Sequence, residues 1–104
     1  MQIVTAADFE NEVINAEKPV FAEFFSDSCI PCKRMAPVLA ELEEEYSDIK
    51  FVKLNVNFSA ETAKQFGVLS SPTFIFFKNG SELHRIKGVV SSDDLADAIE
   101  EVFA

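Results

Sequence analysis

The sequence predicts one α/β domain in which a mixed sheet carries helices on both faces. Apolar runs of strand length alternate with segments of helical period, and the last two predicted strands are joined by Asn79-Gly80. Alternating strands and helices favour parallel pairing, whereas Asn-Gly is the strongest short signal for an antiparallel hairpin. The 104 residues show no linker and no internal repeat, so we expect a single domain over residues 1–104.

After a first strand at the start of the chain, the first half holds a short helix, a buried strand and a long helix. Thr5 and Asp8 form a capping-box pattern that predicts a helix over residues 6–15. Val20–Phe25 is an almost uninterrupted apolar run with aromatic enrichment, which is typical of a central strand covered on both faces. Apolar residues at helical spacing follow the cysteines, and we expect Pro37 to kink that helix.

The second half of the chain adds three strands and two helices. Lys50–Asn55 is predicted to be a strand, and residues 59–66 a short helix with a serine at its N-cap. Residues 73–77 and 82–87 flank the hairpin turn and are expected to pair antiparallel. A second capping box at Ser91 opens a final amphipathic helix, which gives the order β-α-β-α-β-α-β-β-α.

The composition bears on the partners that the protein can have. Asp and Glu number 18 against 9 Lys and Arg, and a net charge of −9 repels the phosphate backbone of a nucleic acid. No segment approaches the roughly 18 consecutive apolar residues that a membrane helix needs, and the start of the chain does not resemble a secretory leader. We therefore expect a cytoplasmic monomer with no nucleic-acid partner and no membrane association.

The two cysteines, Cys29 and Cys32, stand three residues apart at the predicted start of a helix. On the first turn of a helix, residues at this spacing lie close enough to form a disulfide and to separate again without unfolding. The helix N-terminus and the charge of Lys33 favour the thiolate of Cys29. We expect Cys29 to be the nucleophile and Cys32, one turn further in and more shielded, to be the resolving thiol.

Two other interpretations of the cysteine pair remain open at this point. A Cys-x-x-Cys motif is half of a zinc site, but His84 is the only histidine and tetrahedral zinc needs four ligands. A static structural disulfide would close so short a loop that it would add little stability. We expect no bound metal and no cofactor.

The residues around the cysteines resemble a known family. Residues 24–37 contain Ser28-Cys29-Ile30-Pro31-Cys32-Lys33 and look like the active-site segment of thioredoxins. Ser71-Pro72-Thr73, followed by residues 76–80, looks like the second signature of that family, and Lys53 and Gly88 also match. The resemblance implies the thioredoxin fold, a central five-stranded mixed sheet flanked by four helices. It also implies protein-disulfide reductase activity.

The second signature implies a substrate groove beside the cysteines. By resemblance, Pro72 is cis and packs next to the cysteine pair, and the backbone at Ser71 pairs with an extended substrate peptide. The alternative for Pro72 is an ordinary proline at the start of a strand. Gly88 is either part of the same groove or a glycine at a β-bulge.

Glu23 is unusual because a carboxylate in an apolar strand is costly unless it is protonated or paired. In thioredoxins the matching position is usually a buried Asp that exchanges protons with the resolving cysteine, and Lys53 matches a lysine near it. The resemblance thus implies catalytic roles for Glu23 and Lys53, with a raised pKa at Glu23. The alternative is an edge-facing glutamate that reaches solvent.

Three groove positions depart from the family pattern. Ser28 stands where a tryptophan is usual, Ile30 where a glycine separates the cysteines, and Ser71 where an apolar residue precedes the cis proline. We expect these changes to alter which disulfides and which reductase can dock, while the thiol chemistry survives. Pro31, before the second cysteine, resembles the reducing members of the family rather than the oxidants.

The resemblance also implies the partners. These are disulfide-containing protein substrates and, as electron donor, a thioredoxin reductase that is flavin-dependent or of another kind. We expect a general reductant and electron carrier. The alternatives are a dedicated redox partner of one protein and a redox-inactive binding module that uses the same fold.

Overall fold

A computed structural model describes all 104 residues and contains the expected five-stranded mixed sheet. The strand order is β1-β3-β2-β4-β5; β1, β3 and β2 run parallel, and β4 is antiparallel to both β2 and β5. The parallel pairs are those joined through helices and the last pair is the hairpin, as the sequence pattern predicts. The strands are β1 at Gln2–Ile3, β2 at Val20–Phe25, β3 at Lys50–Asn55, β4 at Thr73–Lys78 and β5 at Ser81–Lys87.

Four helical segments connect or follow the strands. They are a π-helical segment at Glu10–Ile14, α1 at Ile30–Glu45, α2 at Ala60–Gln65 and α3 at Ser92–Val102. Ser91 caps α3 through its hydroxyl, which accepts the Asp94 N–H at 3.1 Å. Pro37 lies inside α1. None of the helices has the length and apolar character of a membrane-spanning helix.

The first helix differs from the prediction of residues 6–15. The Thr5 hydroxyl donates to the Asp8 carboxylate at 3.0 Å, so these side chains bond to each other rather than to the backbone N–H groups of a helix start. The helical segment is correspondingly shorter, and the Asn15 N–H donates to the carbonyl of Glu10, five residues back. Residues 6–8 form turns instead.

Ser59 occupies the N-cap position of α2 but does not cap it. Its hydroxyl accepts the backbone N–H of Ala6 at 3.2 Å, from a residue 53 positions earlier in the chain. The side chain is buried, and it fixes the turn before the π-helical segment against the start of α2. Helix α2 covers Ala60–Gln65, and the ends of the predicted range 59–66 are its two cap residues, Ser59 and Phe66.

The core lies on both faces of the sheet. On one face the phenylalanines of β2 and β4 pack against α1 and α3; on the other they pack against the π-helical segment and the region of α2. Neighbouring positions on a strand point to opposite faces, so Phe76 joins the first layer and Phe77 the second. Burial of each such ring stabilises the fold by about 1.5–3 kcal/mol, and this holds β2 rigidly at the centre.

The β4–β5 hairpin turns at Asn79 and Gly80, whose φ values are +54° and +80°. Positive φ at both positions defines the tight turn that Asn-Gly favours. Further along, the pairing shifts: Phe76 lies opposite His84 while Phe77 lies opposite Glu82. Leu83 is therefore an extra residue in β5, and the strand carries a β-bulge there.

The C-terminal end of β2 and the N-terminal end of β4 meet at one end of the sheet. The two strands run antiparallel, and Phe24 lies directly opposite Thr73. The loop from β2 to α1 carries the cysteines, while the residues just before Thr73 are Ser71 and Pro72. The two segments with the suspected chemistry are thus brought side by side although they are distant in sequence.

Candidate active site

Cys29 is the N-cap residue of α1, with an extended backbone at φ −80° and ψ 99°. Its sulfur accepts the backbone N–H of Cys32 at 3.0 Å, in the way that a serine or aspartate oxygen accepts this bond at other helix starts. Pro31 lies in the first turn, where its missing N–H leaves no helix bond unmade. The local sequence therefore starts a helix with a sulfur aimed at its unpaired backbone donors.

The two cysteine sulfurs are joined as a disulfide, with 5.2 Å between the Cα atoms. Cys29 is 6% exposed and Cys32 is 8% exposed. Both cysteines are therefore buried to a similar extent in the disulfide form. The Cys29 sulfur meets the Cys32 N–H at the first helical turn.

Glu23 lies on the central strand β2 and is 4% exposed, so the alternative of an edge-facing glutamate that reaches solvent is wrong. Its Oε2 atom has no hydrogen-bond partner. Loss of hydration raises the pKa of Glu23 to about 7, and the charge of Lys53 opposes part of this rise. A carboxyl group in this state takes up and releases a proton near neutral pH.

One open cavity of about 220 Å³ connects the acid to the disulfide. Lys53 lies opposite Glu23 in the parallel β2–β3 pair, and its ammonium group lies 5.3 Å from the centre of the Phe25 ring. The four predicted catalytic residues all line this cavity, so the structure brings them together. The lining residues are Glu23, Phe25, Ser26, Asp27, Cys29, Cys32, Lys33, Ala36 and Lys53.

The Ser71–Pro72 bond is cis, as the family resemblance implies. Pro72 is buried, and its carbonyl accepts the N–H of Gly88 at 2.8 Å. Gly88 is not the bulge glycine, because the irregular pairing of β5 lies further back, at Leu83. The expected groove residues Ser71 and Pro72, just before β4, and Gly88, just after β5, are therefore held side by side.

The outer rim of the site includes residues that do not line the cavity. Ser28 is exposed, and Ile30 is 62% exposed on the first turn of α1. Val89 follows Gly88 and is 57% exposed. Analysis of the sequence missed Val89, for which an apolar residue just after a matched glycine was the available signal.

Ser26 was also missed, and nothing in the sequence marks it. Its hydroxyl lies 3.1 Å from the hydroxyl of Ser71, which is 45 positions away. Asp27 is held nearby, because its N–H donates to the Asn57 side chain and its carboxylate accepts from Asn55. These bonds fasten the loop before Cys29 to the rest of the fold.

The side chains around the cysteines are not arranged as a metal site. No group of three or more histidine, cysteine, aspartate or glutamate side chains in the structure is arranged to hold a metal ion. The two cysteine sulfurs are bonded to each other. What the arrangement can do chemically is exchange this bond with another disulfide, beside an acid that titrates near neutral pH.

A Cys-x-x-Cys disulfide at a helix start, on a mixed five-stranded sheet and beside a cis proline, defines a thiol–disulfide oxidoreductase. The family model described as Thioredoxin matches residues 1–101. The chain belongs to the thioredoxin family.

Individual relatives agree with this assignment. The chain is 36% identical over 99 residues to thioredoxin 1 of Synechococcus elongatus, covering 94% of this chain and 92% of the relative. It is 39% identical over 99 residues to the thioredoxin of Haemophilus influenzae, with coverage of 94% and 92%. It is 37% identical over 102 residues, or 97% of this chain, to the chloroplastic M-type thioredoxin of Pisum sativum, and spans 59% of that protein's length.

Proposed function

We propose that this oxidoreductase is a protein-disulfide reductant and electron carrier. In its dithiol form, the Cys29 thiolate attacks one sulfur of a substrate disulfide. The substrate S–S bond breaks, a bond forms between Cys29 and the attacked sulfur, and the other substrate sulfur leaves as a thiolate that takes a proton from water. The observation that carries the proposal is the position of the Cys29 sulfur at the start of α1, facing a backbone N–H group.

Cys32 completes the reaction. Its thiol loses a proton, and the resulting thiolate attacks the Cys29 sulfur. The bond from Cys29 to the substrate breaks, and the substrate leaves with both of its sulfurs reduced. Two electrons have then passed from the chain to the substrate, and the Cys29–Cys32 disulfide is restored.

Glu23 is proposed to take the proton from Cys32. It is the buried acid on the wall of the cavity that both cysteines share, and its pKa of about 7 lets its carboxylate accept a proton near neutral pH. Lys53 is on the same wall and lowers the pKa of Glu23, so it keeps part of the glutamate ionised. The two residues therefore set the rate of resolution in this proposal.

The substrate peptide is proposed to lie across the groove formed by Ser71, Pro72 and Gly88. An extended peptide pairing with the backbone at Ser71 would pass in front of the first turn of α1. Ser28, Ile30 and Pro31 are in that turn or next to it, and the apolar side chain of Ile30 is exposed. These residues would contact the side chains that flank the substrate disulfide.

We further propose that a thioredoxin reductase, flavin-dependent or of another kind, restores the dithiol form, and that the chain acts as a cytoplasmic monomer. The only two cysteines form the exchange pair, which suits a reducing compartment where disulfides do not accumulate. Rapid acid quenching of source cells, followed by alkylation, would measure the redox state of the pair. A fully oxidised pair in growing cells would contradict this part of the proposal.

An insulin-reduction assay tests the central proposal. With dithiothreitol as electron donor, the protein should shorten the lag before reduced insulin precipitates, and Cys29→Ser should not. A redox-inactive binding module would leave the uncatalysed rate unchanged. Zinc analysis of the freshly purified protein tests the metal-site interpretation, for which stoichiometric zinc would be the positive result.

A further inference from the structure

The hydroxyl groups of Ser26 and Ser71 are hydrogen-bonded across the active site, at 3.1 Å. Ser26 lies in the loop between β2 and α1, and Ser71 lies just before β4. Both residues are half-buried. The exchange steps proposed above do not use this bond, although it joins the two segments that must act together.

The Ser26 end of this bond is tied to the nucleophile. The Cys29 N–H donates to the Ser26 carbonyl at 3.3 Å, which closes a tight turn just before α1. Ser26 also lines the cavity shared by Cys29 and Cys32. A displacement of Ser26 would therefore move the backbone that carries the Cys29 sulfur.

The Ser71 end is tied to the proposed docking segment. Ser71 is followed by Pro72, whose carbonyl accepts the N–H of Gly88. The Thr73 hydroxyl bonds the Ser70 carbonyl at 2.7 Å, so the residues on both sides of Ser71 are held as well. Because its hydroxyl is bound to Ser26, Ser71 offers a docked peptide its backbone rather than its side chain.

We infer that Ser26 is a positioning residue that sets substrate preference, an inference that rests on the proposed function. Its hydroxyl holds Ser71 in place. The bond therefore fixes the distance between the Ser71 backbone, which receives the substrate peptide, and the Cys29 sulfur, which attacks the substrate disulfide. Small errors in such a distance slow a reaction between bound groups strongly. A substrate that does not pair with the backbone edge at Ser71 should therefore depend less on the Ser26–Ser71 bond.

A double-mutant cycle with two substrates tests this inference. The variants are Ser26→Ala, Ser71→Ala and the double variant, each prepared in its dithiol form. Rate constants for disulfide reduction would be measured with insulin and with a small aromatic disulfide that is too short to pair with Ser71. Loss of one hydroxyl bond should lower the insulin rate constant about fivefold. The double variant should lose no more than either single variant, because all three lack the same bond. The rate constant with the small disulfide should fall less than the insulin rate constant in every variant, because only insulin pairs with the edge at Ser71.

Two further variants sharpen the result. Ser26→Thr keeps the hydroxyl and should restore most of the insulin rate. Ser70→Ala is the matched control, since Ser70 is exposed and contributes only its backbone carbonyl to Thr73. Ser71→Ala removes the same bond from the other side, so the inference stays testable if one variant does not fold.

The outcomes separate this inference from the proposed function. Additive losses in the double variant, equal losses with both substrates, or a wild-type insulin rate in Ser26→Ala would each overturn the positioning role while leaving the reductase activity intact. Failure of the wild-type protein to reduce either substrate would instead overturn the proposed function.

Discussion

Glu23 and Lys53 lie opposite each other on adjacent strands, yet no hydrogen bond or ion pair joins their side chains. The lysine ammonium lies instead over the Phe25 ring. Glu23 is therefore an acid whose hydration has been removed and whose neighbouring charge only partly compensates. This imbalance gives the glutamate a pKa of about 7, and two of the predictions below depend on it.

The first prediction concerns stability and pH. The pKa of Glu23 rises from 4.5 to about 7 on folding, so the folded chain binds the proton more tightly than the unfolded chain. The contribution of Glu23 to stability is full below about pH 4.5 and is lost as the pH rises through 7. At about 1.4 kcal/mol per pKa unit, the loss is roughly 3 kcal/mol.

Glu23→Gln should remove this pH dependence and be more stable than the wild type at about pH 8. Urea unfolding of the disulfide form at several pH values measures the free energy of unfolding of both proteins. Glu41→Gln, at an exposed position on α1, serves as the control and should follow the wild-type curve. The same pH slope in Glu23→Gln and wild type would show that Glu23 does not titrate in this range.

The second prediction concerns the kinetics of resolution. If the Glu23 carboxylate accepts the Cys32 proton, release of the substrate should accelerate as the pH rises through about 7. Glu23→Gln should slow release by about 10²-fold or more and flatten this profile, while formation of the mixed disulfide changes less. Stopped-flow measurements at saturating substrate separate the two steps. Unchanged release in the variant would remove Glu23 from the mechanism.

The third prediction distinguishes the two thiols. In the reduced protein, Cys29 should react with iodoacetamide faster than Cys32, because the start of α1 and the nearby Lys33 stabilise its thiolate. Mass spectrometry after brief alkylation near neutral pH gives both rates. Equal rates would contradict the assignment of Cys29 as the nucleophile.

The fourth prediction concerns the partners. Cys32→Ser should stop the reaction at the mixed disulfide, since a serine hydroxyl is a poor nucleophile and cannot displace the substrate. Proteins captured from an extract of the source cell can then be released by reductant and identified. Many partners would indicate a general reductant, and one dominant partner would indicate a dedicated carrier. Cys29→Ser is the control, and capture by that variant alone would reverse the two roles.

The fifth prediction compares two glycines with positive φ. A Cβ atom at Gly80 would lie 3.1 Å from the Ile14 carbonyl oxygen, whereas one at Gly67 would meet no atom within 4 Å. Both alanine variants would place a side chain on a residue with positive φ, which costs about 1 kcal/mol at either position. Gly80→Ala should therefore lower the free energy of unfolding more than Gly67→Ala does, as urea titration would show. Equal losses would mean that the hairpin moves away from Ile14 without cost.

Much of this architecture follows from local sequence patterns. The apolar run of β2 and the Asn79-Gly80 turn depend on neighbouring residues, and their positions were predicted correctly. The first helix was not, because Thr5 and Asp8 can bond either to the backbone or to each other. The apolar run also predicted that β2 is a central strand, but burial of the Glu23 carboxylate depends on which side chains pack around that strand, and the run alone does not show this.

The contacts that join distant loops were beyond prediction. Ser26 and Ser59 both bond to partners more than 40 positions away, and a hydroxyl group carries no sign of such a partner. The similar burial of the two cysteines was not predicted either, because exposure in the disulfide form depends on where the joined sulfurs lie against the helix, rather than on their order in the sequence.

The bulge at Leu83 affects whether another chain can pair with the edge of the sheet. A sheet has two edges, and a long flat edge is a template on which another chain can add a strand. Here one edge, β1, is only two residues long, and the other, β5, is interrupted where Leu83 puts its N–H and carbonyl groups out of step. An incoming strand would find no regular ladder on either side. The extended docking proposed for substrates at Ser71 therefore takes place on a molecule whose sheet edges do not readily accept a further strand.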